Sequence, residues 1–203
     1  NKIIKDALAL TLITLVAGVA LGGVYEITKD PIARQEAQAK AEAYEQVFTD
    51  AAAFEEIEMD DTLIQTIRDQ LDQEGYKAQS IEEVMRAEDQ SGETLGYAFT
   101  VVTSEGYGGD IQFSMGVQND GTLNGISILS IGETAGLGMN ADTPAFKDQF
   151  VGKQVEKLQY TKNGATQDDE INAISGATVT TNAMTNGVNA GLCAFRVMEG
   201  GDQ

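Results

Sequence analysis

The clearest pattern along the chain is an uninterrupted apolar stretch near its start. Ala7 to Tyr25 reads ALALTLITLVAGVALGGVY, 19 residues without a formal charge. As a helix it would be about 28 Å long at 1.5 Å per residue, close to the hydrocarbon thickness of a bilayer. Two other readings compete with a membrane anchor. Lys2 and Lys5, with Ala20-Leu21-Gly22 further on, have the layout of a secretory signal, although the apolar run is long for one. A buried core helix would confine its apolar residues to one stripe, whereas here they occupy every face. A retained anchor is therefore expected over residues 1–29.

Pro31 suits the first turn of a second helix, and the Ala-, Glu- and Gln-rich run after it carries that helix to about Phe48. Leu63, Ile67 and Leu71 recur at helical spacing and predict a helix over 62–73. Glu82 to Ala87 reads as a third, short one. Residues 30–90 are thus expected to form a helical connecting region.

From Ser91 onward the character changes, and 18 of the 22 glycines lie there. Ile111, Phe113, Met115 and Val117 alternate with Gln112, Ser114, Gly116 and Gln118, the period of a strand with one buried face. Asn119-Asp120-Gly121 turns the chain into a returning strand, Leu123 to Ile131, and an earlier strand is expected over 96–103. Asn163-Gly164 reads as a further hairpin after 158–161. Thr143-Pro144 is expected to cap a short helix that sets Phe146 and Phe150 one turn apart on one side. The last element, from Thr178 to about Met198, is a helix with Met184, Val188, Leu192 and Phe195 on its core face. The fold class is α+β: one transmembrane helix, then a Gly-rich antiparallel or mixed sheet packed by helices, the domain proper covering 91–203.

Charge and composition narrow the chemistry. Lys and Arg number 13 against 32 Asp and Glu, a net charge of −19, which argues against nucleic acid as a partner. The first 29 residues carry +1 and the remainder −20, so the domain is easier to place away from an anionic cytoplasmic leaflet. Basic residues flank both ends of the apolar run and give no orientation by themselves. Without histidine there is no Ser-His-Asp triad and no histidine-held zinc or haem. With a single cysteine, Cys193, there is no internal disulfide and no self-contained iron–sulfur centre. Cys193 reads as a small packing residue. If the chain handles electrons, an organic cofactor must carry them.

Three segments offer places for one. Ser175-Gly176-Ala177-Thr178-Val179-Thr180-Thr181 heads the last helix, where small residues, hydroxyls and unpaired amides make a phosphate site; ordinary N-capping is the competing reading. No lysine follows the glycine, so this is not a Walker A loop. Glu133-Thr134-Ala135-Gly136-Leu137-Gly138 is a glycine-hinged loop after a strand, able to lie against a flat ring, or else a tight turn. Gly106-Tyr107-Gly108-Gly109 joins two strands and presents an aromatic ring, or else is a plain connection. Asp110 and Glu133 define no substrate pocket, so no catalytic side chain and no metal ligand is assigned.

Together, GYGG, ETAGLG, the Phe146-Lys147-Asp148-Gln149-Phe150 segment and SGATVTT, in this order behind one membrane helix, resemble the G subunit of Rnf ion-translocating oxidoreductases. The C subunit of the sodium-pumping NADH:quinone oxidoreductase shares the plan. The resemblance implies an FMN-binding domain and FMN held covalently, by a phosphoester to Thr178. Ser175, Gly176, Ala177 and Thr181 would surround the phosphate. Glu133, Thr134, Gly136, Leu137, Gly138 and Tyr107 would line the flavin. Lys147 is a candidate counter-charge near the ring, or else a solvated surface lysine. It further implies a flavin transferase that installs the link from FAD, and partnership with the other membrane and peripheral Rnf subunits. The domain would then lie on the extracytoplasmic face of the cell membrane, and the chain would be an electron carrier within a complex coupling ferredoxin:NAD electron transfer to Na⁺ or H⁺ movement. The sister complex, or a free-standing flavin shuttle or sensor, is the alternative. Two positions depart from the family pattern: Asn172 where an Asp is usual, and Ala135 where a proline is frequent.

Overall fold

The computed structural model describes residues 2–201. Its first element, α1 (Lys2–Val47), is one continuous helix. An 18-residue window within it has a mean hydropathy of 2.3, and none of that window is buried. Pro31 lies inside this helix and does not begin a second one. The Ala-, Arg-, Gln- and Glu-rich run after it carries the helix on past the amide that proline lacks. The chain divides into two compact units at Lys40/Ala41.

In the second unit five strands form an antiparallel meander in the order of the chain: β1 (Ala53–Glu56), β2 (Gln79–Glu88), β3 (Thr94–Thr103), β4 (Ile111–Gln118) and β5 (Leu123–Ile131). Helices α2 (Asp61–Glu74) and α4 (Thr178–Gly201) cover one face. Asp60 caps α2 by accepting the Leu63 amide at 2.7 Å, and Gly75 ends it in the left-handed conformation that glycine adopts without strain. Phe99, Val101, Phe113, Met115 and Val117 project from the sheet into this core, against Met184 and Val188 of α4. The helix sits close because Gly187 and Gly191 face the sheet: a Cβ on Gly187 would lie 2.8 Å from the Phe113 ring, and one on Gly191 would strike Met115.

The alternation along β4 predicts a solvated opposite face, and in its middle that face is covered. The last turns of α1 lie on it, so that Tyr44, Val47 and Phe48 form a second cluster with Ala87 and Ala98. Small and polar residues make this possible. The Tyr44 hydroxyl pairs with Thr100 Oγ1 at 2.7 Å, Ser127 Oγ donates to Gln46 Oε1 at 2.9 Å, and Gly116 leaves room for the Val47 carbonyl. Burial raises the Tyr44 phenol above its ordinary pKa, so it remains a neutral hydrogen-bonding group.

Residues 82–87 are strand, not helix. Helix-forming Glu, Met, Arg and Ala occupy β2, and a register shift between Ile81 and Glu83 breaks the alternation that would reveal it. Nor does Asn163-Gly164 make a hairpin: β6 (Gln159–Thr161) pairs in parallel with β7 (Glu170–Asn172), so the turn is one bend in a longer connection. The short helix α3 (Pro144–Lys147) runs into a 3-10 turn, with the rings of Phe146 and Phe150 edge-on at 5.4 Å. Thr143 precedes it without capping it; its hydroxyl donates back to the Asn140 carbonyl at 2.7 Å.

Alanine at Gly116 would place a methyl 2.8 Å from the Val47 carbonyl and 3.0 Å from Phe48. Gly116→Ala is expected to lower stability by about 1–3 kcal/mol through overpacking, read as an earlier midpoint in a urea titration followed by circular dichroism.

Candidate functional site

The site forms where α4 begins. Ala177 N–H donates to the Ile174 carbonyl at 3.0 Å, and Gly176 bends the chain at φ 76°, a left-handed conformation. The first helical bond runs from Thr181 N–H to the Ala177 carbonyl, which puts Ala177 in the N-cap position. Alanine has no side chain that can cap. Among the described residues no acceptor takes the amides of Thr178, Val179 and Thr180, so ordinary capping does not account for this segment. Thr181 instead staples the turn from inside: its hydroxyl accepts the Ile174 amide at 3.0 Å and donates to the Ala177 carbonyl at 2.9 Å.

Two loops close around the helix head. After β5, Thr134 O accepts the amides of Leu137 and Met139 at 3.1 and 3.2 Å, and Gly138 starts a 3-10 turn. Between β3 and β4, the GYGG loop is held tightly, with Gly108 against the Gly132 carbonyl. Glu105, just before it, accepts from Asn182 and Asn186 of α4 at 3.2 and 2.7 Å. Glu133 reaches across from the other loop and accepts the Tyr107 amide at 2.7 Å.

Between these walls lies a cavity of about 470 Å³, within the size range of small-molecule sites. The depressions beside α2 and beside the end of α1 are smaller, about 260 and 270 Å³. Three large apolar side chains around the cavity stand out in solvent: Tyr107 is 76% exposed, Val179 50% and Leu137 43%. Free amides at one end and an apolar rim suit a ligand that joins a phosphate to a flat ring.

Of the residues singled out in the sequence, Tyr107, Glu133, Thr134, Leu137, Gly138, Gly176, Ala177 and Thr178 line this cavity. Four others do not. Ser175 is exposed beside it, Gly136 shapes its loop at φ 76°, and Thr181 is buried with its hydroxyl committed. Lys147 is paired with Asp142 at 2.7 Å. Val179 and Thr180, named within the SGATVTT segment but given no role of their own, also line the cavity; their place in the first helical turn was the available signal. Asn172 lies nearby in β7: its Oδ1 accepts the Ala165 amide at 2.6 Å, and its own amide donates to Gln149 at 2.7 Å. Cys193 is buried in α4, and burial, with Glu74 beside it, pushes its thiol up to about 12. Thiolate chemistry is thereby suppressed.

Residues 106–192 match the FMN-binding domain family, and residues 1–47 match the RnfG N-terminal region. The G subunit of the Na⁺-translocating ferredoxin:NAD⁺ oxidoreductase complex of Acetobacterium woodii is 32% identical over 96% of the chain and 92% of that protein. The chain belongs to this family of G subunits. The G subunit of the proton-translocating complex of Clostridium ljungdahlii is 28% identical over 99% of the chain and 96% of its own length. The match to the C subunit of the Na⁺-translocating NADH-quinone reductase of Pasteurella multocida, 41% identical, extends over only 36% of the chain and 31% of that protein. The FMN-binding domain of this G subunit runs from the GYGG loop to the middle of α4 and so includes all three walls of the cavity.

Gly138 marks where room is scarcest: a Cβ there would lie 2.5 Å from Glu133 Oε2 and 2.6 Å from Thr180 Oγ1. Overpacking of about 1–3 kcal/mol at the cavity wall predicts that Gly138→Ala lowers FMN content per chain, read from the visible spectrum against protein mass. Lys147→Met, outside the cavity, is expected to leave that ratio unchanged.

Proposed function

We propose that this G subunit holds FMN esterified through its phosphate to Thr178 Oγ1, and serves as the electron-transfer subunit of a membrane complex that couples ferredoxin:NAD electron transfer to ion movement. The observation that carries the reading is the uncapped start of α4, with the half-buried Thr178 hydroxyl at the cavity and three free amides beside it. Those amides and the positive end of the helix dipole would hold a phosphate, while Tyr107, Leu137 and Val179 offer the ring an apolar border. Bound FMN supplies the redox chemistry that the side chains lack.

A separate flavin transferase forms the phosphoester from FAD, so the chain needs no catalytic group for it. Asn172, in place of the usual Asp, accepts the Ala165 amide through its Oδ1, a bond that an Asp carboxylate would also accept. The acidic domain, at −20 once the first 29 residues are set aside, lies on the extracytoplasmic face with residues 7–25 crossing the membrane. The relatives' names divide between Na⁺ and protons, so the coupled ion does not follow from the resemblance.

Co-expressed with a flavin transferase, the chain is expected to give a fluorescent band after denaturing electrophoresis. Thr178→Ala should abolish the band and Thr180→Ala should retain it; the reverse pattern would move the linkage. For topology, Ser91 is exposed on the β2–β3 turn and the native thiol is buried. A Ser91→Cys variant should react with a membrane-impermeant maleimide in intact spheroplasts, and protection until lysis would place the domain inside.

A further inference from the structure

We infer that Glu133 performs two separable tasks: it positions the Tyr107 loop beside the cavity, and its charge lowers the reduction potential of the flavin held there. The inference rests on the reading that FMN occupies this cavity. Glu133 is only 8% exposed, yet it lines the cavity and is the one Asp, Glu, Lys or Arg among the described lining residues. Its two oxygens face different walls. Oε1 accepts the Tyr107 amide at 2.7 Å and lies 3.1 Å from where a Cβ on Gly106 would stand. Oε2 abuts Gly138, 2.5 Å from the corresponding point. One carboxylate thus ties the GYGG loop to the ETAGLG loop. The Tyr107 backbone is fixed while its ring, 76% exposed, stays free to meet a ligand.

Among the described residues no lysine or arginine lines the cavity to offset this charge, and Lys147 is spent on Asp142. A buried charge is poorly screened by salt and acts through a lower effective dielectric than a surface one. It therefore opposes the addition of negative charge nearby, which makes reduction of an adjacent ring less favourable. The positive end of α4 works at the phosphate end of the site instead.

Two substitutions separate the tasks. Glu133→Gln keeps an oxygen that can accept the Tyr107 amide but removes the charge; Glu133→Ala removes both. The chain has no tryptophan, so Tyr107→Trp introduces a single indole as a reporter of the loop. The reporter chain is purified full-length in detergent without flavin. Its indole fluorescence anisotropy should be unchanged by Glu133→Gln and should fall with Glu133→Ala, circular dichroism being equal in all three proteins. In the flavinylated chain with Tyr107 restored, Glu133→Gln should shift the midpoint potential to a more positive value, and the shift should persist in high salt. Unchanged anisotropy in Glu133→Ala overturns the positioning task. A potential that stays the same or becomes more negative in Glu133→Gln overturns the charge task while leaving the FMN reading intact. A parent chain with no flavin after co-expression with the transferase overturns the FMN reading itself, and the charge task falls with it.

Discussion

The close seating of α4 on the sheet is the contact from which the rest of the domain follows. Gly187 and Gly191 remove the side chains that would hold the helix away, and Phe113 and Met115 fill the space they leave. Because the helix is packed along its length, its first turn is fixed without a capping side chain. The amides that a Ser or Asp would otherwise satisfy are left facing a cavity. Packing energy from the core, together with the Thr181 staple, thereby stabilises a terminus that has no capping side chain, as is usual for helices whose stability is mainly tertiary.

The cavity walls come from segments far apart in the chain, and each is tied to its neighbours by a carboxylate. Glu105 binds the GYGG loop to α4 through two asparagines one turn apart, and Glu133 binds the same loop to the one after β5. Neither of these ties uses a cation. On the other side of the sheet, Tyr44 and Phe48 close the second cluster, so β3 and β4 are covered on both faces near their middles. Of the buried hydroxyls at this covered register position, Thr100 of β3 is paired with Tyr44, whereas that of Ser114 on β4 has no partner among the described residues.

Strong periodicity made some elements legible and its interruption hid others. Ile111 to Val117 alternates cleanly, and β4 lies where that pattern puts it. The core face of α4 was likewise plain from Met184, Val188, Leu192 and Phe195, all of them buried. Strand β2 was hidden by its bulge and by helix-forming residues whose local preference the sheet overrides. The three-residue strands β6 and β7 are too short to show a period, and their parallel pairing contradicts the hairpin that Asn163-Gly164 suggests. The motifs marked the cavity because their glycines serve close approach. They did not reveal which neighbours turn away from it, since Thr181, Lys147 and Ser175 differ from the lining residues in orientation and pairing, not in spacing.

Under the linkage proposed at Thr178, that difference among neighbouring hydroxyls bears on the order of events in maturation. In an extended chain Ser175, Thr178, Thr180 and Thr181 are nearly equivalent alcohols on one short, flexible segment. Once α4 has docked, Thr180 and Thr181 are withdrawn from solvent and Ser175 stands outside the lining, so Thr178 alone combines partial access with a place in the cavity. A modifying enzyme that works on the finished domain inherits this sorting from the fold. One that met the nascent chain would have to make the distinction for itself.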